Sequence, residues 1–308
     1  MKDEEDAEDR LIDAMSNSSF AGVGRKLKLA LRMAEERPEA GLKLVEEVVS
    51  QAKQDGDIYV TLLAQRQYMR VASRLERYEE TFAMVTESLE SVKTYAGDSS
   101  DPAWIQQKYD FSETLTLACG MTGRFDESKR AFDELLESST RIFGRAHQFT
   151  RRCFRTRFLL LHKMVFKAKD LLLSDDLANG ARYLDAVLIE SKAQQDFFDT
   201  KNPNFQINFE IMNVAADVLQ MCGRKHESLA VTRLCLKSAR ERKDLDSELT
   251  QQCMWIYAHV SYDLYGLTKE SKDLLDELVA MQTRLYGPDA PKTQETASFL
   301  FSVVNIST

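Results

Sequence analysis

The hexapeptide Gly123-Arg124-Phe125-Asp126-Glu127-Ser128 stands between two long amphipathic segments and has close copies elsewhere in the chain. Residues 266–271 read Gly-Leu-Thr-Lys-Glu-Ser, residues 223–228 read Gly-Arg-Lys-His-Glu-Ser, and residues 76–81 read Glu-Arg-Tyr-Glu-Glu-Thr. Gly97, Gly144 and Gly287 each follow one of these turns by 21 residues. A recurrence of this kind is typical of stacked supersecondary units.

Side-chain size repeats with the same spacing. A large residue usually stands nine positions after the turn, as Val85, Phe132 and Leu275 do, and Thr232 is the exception. Five positions after the turn stands a small residue, which lets two helices of a hairpin approach closely. The four small residues are Thr81, Ser128, Ser228 and Ser271.

Two further copies are weaker. Around Glu36, Gly41 takes the small position and Val45 the large one, and another copy has its turn near 174–176 without a fixed register. Only 5 prolines and 12 glycines interrupt the chain, and no stretch alternates with the period of a strand. We therefore predict an all-α fold of about six helical hairpins, with turns near residues 36, 76, 123, 175, 223 and 266.

These offsets resemble the tetratricopeptide repeat (TPR), which has glycine at the turn and an aromatic residue two positions later, as at Gly123 and Phe125. The segments 285–293 and 142–150 resemble the exits of the longer repeats of kinesin light chains. The resemblance implies a right-handed α-solenoid whose first helices line a concave face. This sequence differs from the kinesin light chains at Glu113 and Thr114, where those light chains carry asparagines that hold peptides. The architecture carries over, but motor or cargo binding does not.

The N-terminal 1–14 region is predicted to be an acidic, disordered tail before a single solenoid over 15–308, which ends in a helix over 291–305. No apolar run reaches 18 residues, which argues against a membrane span, and the acidic start fits neither a signal nor a transit peptide. We expect a cytoplasmic protein, with a nuclear or organellar location after removal of a presequence left open.

No pattern typical of an active site, metal centre or cofactor site is found. The five cysteines lack paired spacing, and His147, His162, His226 and His259 lie in different hairpins. We expect no enzymatic activity, no cofactor and no metal.

The most distinctive charge pattern is a basic stripe between Arg141 and Lys169, where nine cations occur without an acidic residue in a chain of net charge −8. Arginine forks suit carboxylate and phosphate, so the stripe could bind an acidic peptide, a phosphorylated partner or nucleic acid. Alternatively, its arginines pair with glutamates of neighbouring hairpins, such as those near Glu134 and Glu137. The overall acidity disfavours nucleic acid. The candidate partner-binding residues are Arg145, Arg151, Arg152, Arg155, Arg157 and Lys163.

The last segment is a second candidate surface, because its helix is apolar nearly all round, whereas a terminal solenoid helix usually has a polar outer face. The repeat could continue in a longer chain, a partner could cover this end, or the helix could fold into the groove. The candidate contact residues are Phe299, Leu300, Phe301 and Val304.

Two functions follow from these features. The first is a protein-interaction scaffold or adaptor that holds a peptide or helix of a partner protein, rather than a small molecule, in its concave groove. The alternative is a structural subunit of a large assembly, held through its ends and convex face.

Overall fold

The computed structural model describes residues 21–97, 101–193, 205–242 and 246–307. These residues form thirteen α-helices, and none of them lies in a strand. The predicted 1–14 tail lies outside the described residues. The helices are α1 (Ala21–Glu36), α2 (Pro38–Asp55), α3 (Ile58–Arg74), α4 (Tyr78–Ala96), α5 (Pro102–Met121), α6 (Phe125–Phe143), α7 (Gln148–Leu173), α8 (Leu177–Ala193), α9 (Phe205–Met221), α10 (Lys225–Arg242), α11 (Glu248–Tyr265), α12 (Lys269–Tyr286) and α13 (Pro291–Ser307).

Consecutive helices pair into six hairpins, from α1 with α2 to α11 with α12, and α13 follows the last hairpin. Turns of one to three residues join the two helices of each hairpin. The prediction of an all-α fold with about six helical hairpins is confirmed. Pro38, Pro102 and Pro291 are each the first residue of a helix, where a missing N–H costs no hydrogen bond.

Four of the turns share one backbone motif. In the third hairpin, Arg124 N–H donates to the Cys119 carbonyl at 2.8 Å, and Gly123 N–H donates to Gly120 at 3.3 Å. This pair of bonds is the Schellman ending of a helix, and it requires a left-handed residue at position 123. Gly123 and Gly223 supply it with φ of 78° and 73°, whereas Glu76 and Asp175 adopt φ of 58° and 67° without being glycine. The same backbone bonds therefore close hairpins of different sequence.

Small residues lie where the two helices of a hairpin cross. Thr81, Ser128, Ser228 and Ser271 are all buried. In the fourth hairpin the small residue is Gly180, five positions after Asp175, and Leu184, nine positions after it, is fully buried. The register of this hairpin, which the sequence left open, is thereby fixed.

The chain divides into two compact units, Met1–Thr156 and Arg157–Thr308, with the boundary inside α7. The core of the first unit runs from Val23 in α1 to Phe111 in α5, and Tyr109, Phe132, Leu135 and Cys153 form a second cluster. The second unit has its own buried core, which includes Leu184, Ile211, Leu219 and Tyr257. The single solenoid over 15–308 remains a prediction.

Candidate partner-binding surfaces

The loop between α6 and α7 carries Arg145, the first of the candidate partner-binding residues of the basic stripe, which is exposed. The loop is held by the His147 ring, which stacks on Phe143 at 4.6 Å between ring centroids. The hydroxyl of Thr150 donates to the Gly144 carbonyl at 2.9 Å. These contacts fix the backbone on both sides of Arg145.

Arg151 and Arg155 are exposed, one turn apart on α7. Neither of them, nor Arg145, forms an ion pair with any residue that the structure describes. Two like charges at this spacing destabilise an isolated helix by about 0.2–0.5 kcal/mol. An anion placed between the two guanidinium groups would remove that repulsion.

Arg152 differs from its neighbours because its guanidinium group forms ion pairs with carboxylates of the same chain. Its guanidinium pairs with Asp110 and with Glu113 of α5, and the Nε to Glu113 distance is 2.7 Å. Arg66 of α3 also pairs with Asp110, and Thr156 donates its hydroxyl to Glu113. Asp110 is only 7% exposed, so this network neutralises a buried carboxylate.

In the second unit, Arg157 pairs with Glu190 of α8, and both side chains are largely buried. Lys163 is half-buried, and no ion pair to a described residue is found for it. The imidazole of His162 lies 3.4 Å from Glu210 of α9, and Lys169 bonds to Asp217 at 2.7 Å. In this part of α7, the side chains of Arg157, His162 and Lys169 therefore make polar contacts with α8 and α9.

The candidate arginines of the predicted stripe are thus of two kinds. Arg152 and Arg157 make the intramolecular ion pairs of the alternative interpretation, but with Asp110, Glu113 and Glu190 rather than with the region of Glu134 and Glu137. Arg151 and Arg155 of α7 and Arg145 of the preceding loop are all exposed, and we call these three residues the α7 cationic face. Sequence reasoning missed Arg66 and Asp110. The only signal for this network was an acid, Glu113, at the place where kinesin light chains carry asparagine.

The candidate contact residues of α13 also include both packed and exposed side chains. Phe299 packs on Trp255, His259 and Tyr262 of α11, with centroid distances of 5.2, 5.0 and 5.8 Å. Leu300 and Val304 are half-buried. Phe301 is 71% exposed, and Ile306, which was not among the predicted residues, is 75% exposed. The apolar surface that α13 presents to solvent is therefore mainly that of Phe301 and Ile306.

Within the described residues, no group of three His, Cys, Asp or Glu side chains is arranged to hold a metal ion. None of the helices there combines the length and the apolar character needed to cross a bilayer.

No family model and no curated protein matches the chain. Its fold is similar to that of a Podosopora anserina putative kinesin light chain with nearly identical TPR-like repeats, at 14% identity and a TM-score of 0.37, over 73% of this chain and 96% of that one. A second structure of that protein gives 13% identity and a TM-score of 0.36, over 73% and 95%. BtubC (BKLC) from P. vanneervenii gives 12% identity and a TM-score of 0.36, over 87% and 91%.

Proposed function

We propose that the chain is a non-enzymatic protein-interaction scaffold, and that the α7 cationic face binds a partner segment with an acidic or phosphorylated side chain. Arg151 and Arg155 lie on α7, which is itself the first helix of the fourth hairpin and is joined through Arg152 to α5, the first helix of the third. First helices are the ones that line the binding groove of a solenoid.

The observation that carries this proposal is the contrast between Arg152 and its neighbours. Arg152 is neutralised by two carboxylates, whereas Arg151 and Arg155 are exposed without an ion pair to a described residue. If the arginines of α7 served only to join hairpins, Arg151 and Arg155 would need acidic neighbours as well. Their arrangement fits an anion supplied from outside.

Carboxylate and phosphate are the anions that arginine binds best, because its planar fork donates two parallel hydrogen bonds. A phosphoryl group carries about −1.5 to −2 charge near pH 7 and offers three acceptor oxygens, so it could engage two arginines together. Phe154, between them in sequence, is 38% exposed and gives an apolar contact beside the charge.

Fluorescence anisotropy with three peptide libraries tests the proposal. The libraries share degenerate flanks and differ in the central residue, which is phosphoserine, glutamate or serine. Binding should be strongest for phosphoserine, weaker for glutamate and weakest for serine, and it should fall with added salt. Arg151→Glu/Arg155→Glu should remove the preference. The matched control is Arg25→Glu/Arg32→Glu, which reverses two exposed arginines of α1. Equal binding of all three libraries, or equal loss in both double variants, would contradict the proposal.

The exposed part of α13 favours a second candidate function, that of a structural subunit whose end is covered in a large assembly. Phe301 and Ile306 are more than 70% exposed on the last described helix. Purified wild-type chain should then self-associate, and Phe301→Ser/Ile306→Ser should make it monomeric without lowering its melting temperature. A wild-type chain that is monomeric at high concentration argues for the autonomous scaffold instead.

A further inference from the structure

A groove of about 750 Å³ lies between α10 and α12, the second helices of the fifth and sixth hairpins. Leu236 and Leu274 line it from the two sides, and Tyr257 of α11 lies at its base. All three of these side chains are buried. The groove belongs to a different set of helices from the α7 cationic face and is independent of the proposed function.

The two walls of the groove carry net charges of opposite sign. Arg233, Lys237 and Arg240 follow one another at helical spacing on α10, which also contributes Glu241, and Glu270, Asp273 and Glu277 do so on α12, which also contributes Lys269. Seven residues of helix span about 10 Å, so the walls run alongside each other for two turns. A groove of this length between two helices can accept the side-chain ridge of a third helix.

Two weak ion pairs cross the groove near its ends. Arg233 lies 3.4 Å from Glu270, and Arg240 lies 3.3 Å from Glu277. Arg233 also donates to the Tyr257 hydroxyl at 2.9 Å. The side chains of both pairs are exposed, between 38% and 64%, so little free energy holds them closed and an incoming partner can displace them.

Lys237 and Asp273 stand between these pairs on opposite walls. Both are exposed, and neither forms an ion pair with any residue that the structure describes. Across the middle of the groove, the molecule therefore presents an unpaired cation on one side and an unpaired anion on the other. An occupant that supplies the reverse arrangement would pair both.

We propose that this groove binds one amphipathic helix of a partner protein, with an apolar stripe flanked by acidic side chains on one edge and basic side chains on the other. The apolar stripe would lie over Leu236, Tyr257 and Leu274. The acidic edge would face Lys237, and the basic edge would face Asp273. Because a helix can enter in either direction, the two edges can be exchanged in sequence as long as they carry opposite charge.

The probe is a capped 16-residue synthetic helix with a leucine stripe, glutamates along one edge and lysines along the other. Its matched peptide has glutamine along both edges. We expect the charged helix to bind with an affinity that falls with added salt, and the glutamine helix to bind at least about fivefold more weakly.

Lys237→Glu and Asp273→Lys should each weaken binding of the charged helix several-fold. The controls are Lys167→Glu and Glu295→Lys, which make the same charge changes in the same unit but outside the groove and should leave binding unchanged. Absence of binding by the charged helix, equal binding of both peptides, or equal effects of groove and control variants would each overturn the proposal. Arg151→Glu/Arg155→Glu should leave this binding intact, so failure here is distinct from failure at the α7 cationic face.

Discussion

The hydroxyl of Ser128 donates a hydrogen bond of 2.7 Å to the carbonyl of Thr116, twelve residues earlier on the partner helix of its hairpin. Ser228 makes the same bond, also of 2.7 Å, to Ala216 in the second unit. A small residue at this position therefore permits the close crossing and also links the two helices. Alanine would permit the crossing but would not make the bond.

Replacing Ser128 with tryptophan should strongly destabilise the third hairpin. The side chain is 4% exposed at a close helix crossing, so the indole cannot be placed without separating α5 from α6. We expect the free energy of unfolding to fall by at least about 3 kcal/mol, from overpacking and the lost hydrogen bond. Urea denaturation followed by circular dichroism measures this change.

Ser128→Ala and Glu134→Trp are the controls for that experiment. The alanine variant should lose about 1 kcal/mol, because only the hydrogen bond is removed. Glu134 is exposed on the same helix, so its replacement by tryptophan should change stability by less than about 0.5 kcal/mol. Similar melting of Ser128→Trp and wild type would mean that residue 128 does not lie at the crossing.

Glu76→Gly and Asp175→Gly should each stabilise the protein. Both residues are exposed and adopt positive φ, of 58° and 67°, which is unfavourable for a residue with a Cβ atom. Glycine costs more entropy on folding, so the net gain should be up to about 1 kcal/mol at each site. Differential scanning calorimetry should show a raised Tm.

The reverse change, Gly123→Ala, tests the same backbone position with the opposite sign. Gly123 has φ of 78°, so a Cβ atom there should lower stability by about 1 kcal/mol. If glycine lowers the Tm at both Glu76 and Asp175, side-chain contacts rather than backbone conformation govern these turns.

Gly41→Ala and Gly22→Ala should have opposite effects in the first hairpin. A Cβ atom at Gly41 would lie 2.5 Å from the backbone of Ala34, whereas nothing lies within 4 Å of one at Gly22. The first substitution should cost more than about 2 kcal/mol, because backbone must move. The second should add up to about 1 kcal/mol from helix propensity. Equal effects in chemical denaturation would contradict the close approach of α1 and α2.

Most of the hairpins could be predicted from the sequence because one set of steric demands recurs: a residue of positive φ at the turn and a small residue five positions later. The register of the fourth hairpin could not be read from the sequence, and the reason is physical. Asp175 takes the left-handed position without being glycine, and the small residue is Gly180. Since Gly180 follows Asn179, the pair has the composition of a turn rather than of a helix crossing.

The site was less predictable than the fold. Whether an arginine on α7 is exposed or paired depends on carboxylates some 40 residues away, since Arg152 reaches Asp110 and Glu113. Arg151 and Arg152 are adjacent and chemically identical in the sequence, yet they face different surroundings. Spacing within one helix cannot distinguish them until the neighbouring helix is in place.

Thiol reactivity should separate Cys222 from the other four cysteines. Cys222 is half-buried, whereas the others are buried, and burial raises the pKa of Cys119 to about 11. Treatment of native protein with N-ethylmaleimide at pH 7.5 should modify Cys222 first, as intact mass spectrometry would show.

Burial also raises the pKa of the Cys222 thiol, so its labelling rate should rise about tenfold per pH unit between pH 7 and 8.5. Cys222→Ser should abolish native labelling, and rapid labelling of Cys119 would contradict the packing of the third hairpin.

Arg152→Glu and Arg151→Glu should differ sharply although the residues are neighbours. Arg152→Glu places a third carboxylate against Asp110, which is buried, and Glu113, so stability should fall by about 3 kcal/mol or more. Arg151→Glu changes an exposed side chain and should shift stability by less than about 0.5 kcal/mol. Urea denaturation of the two variants measures both effects. A mild effect of Arg152→Glu would mean that its ion pairs contribute little, which would return Arg152 to the group that could bind a partner. If the large loss is found, a partner-binding variant must leave Arg152 in place, which is why Arg151 and Arg155 alone are reversed in the binding experiment.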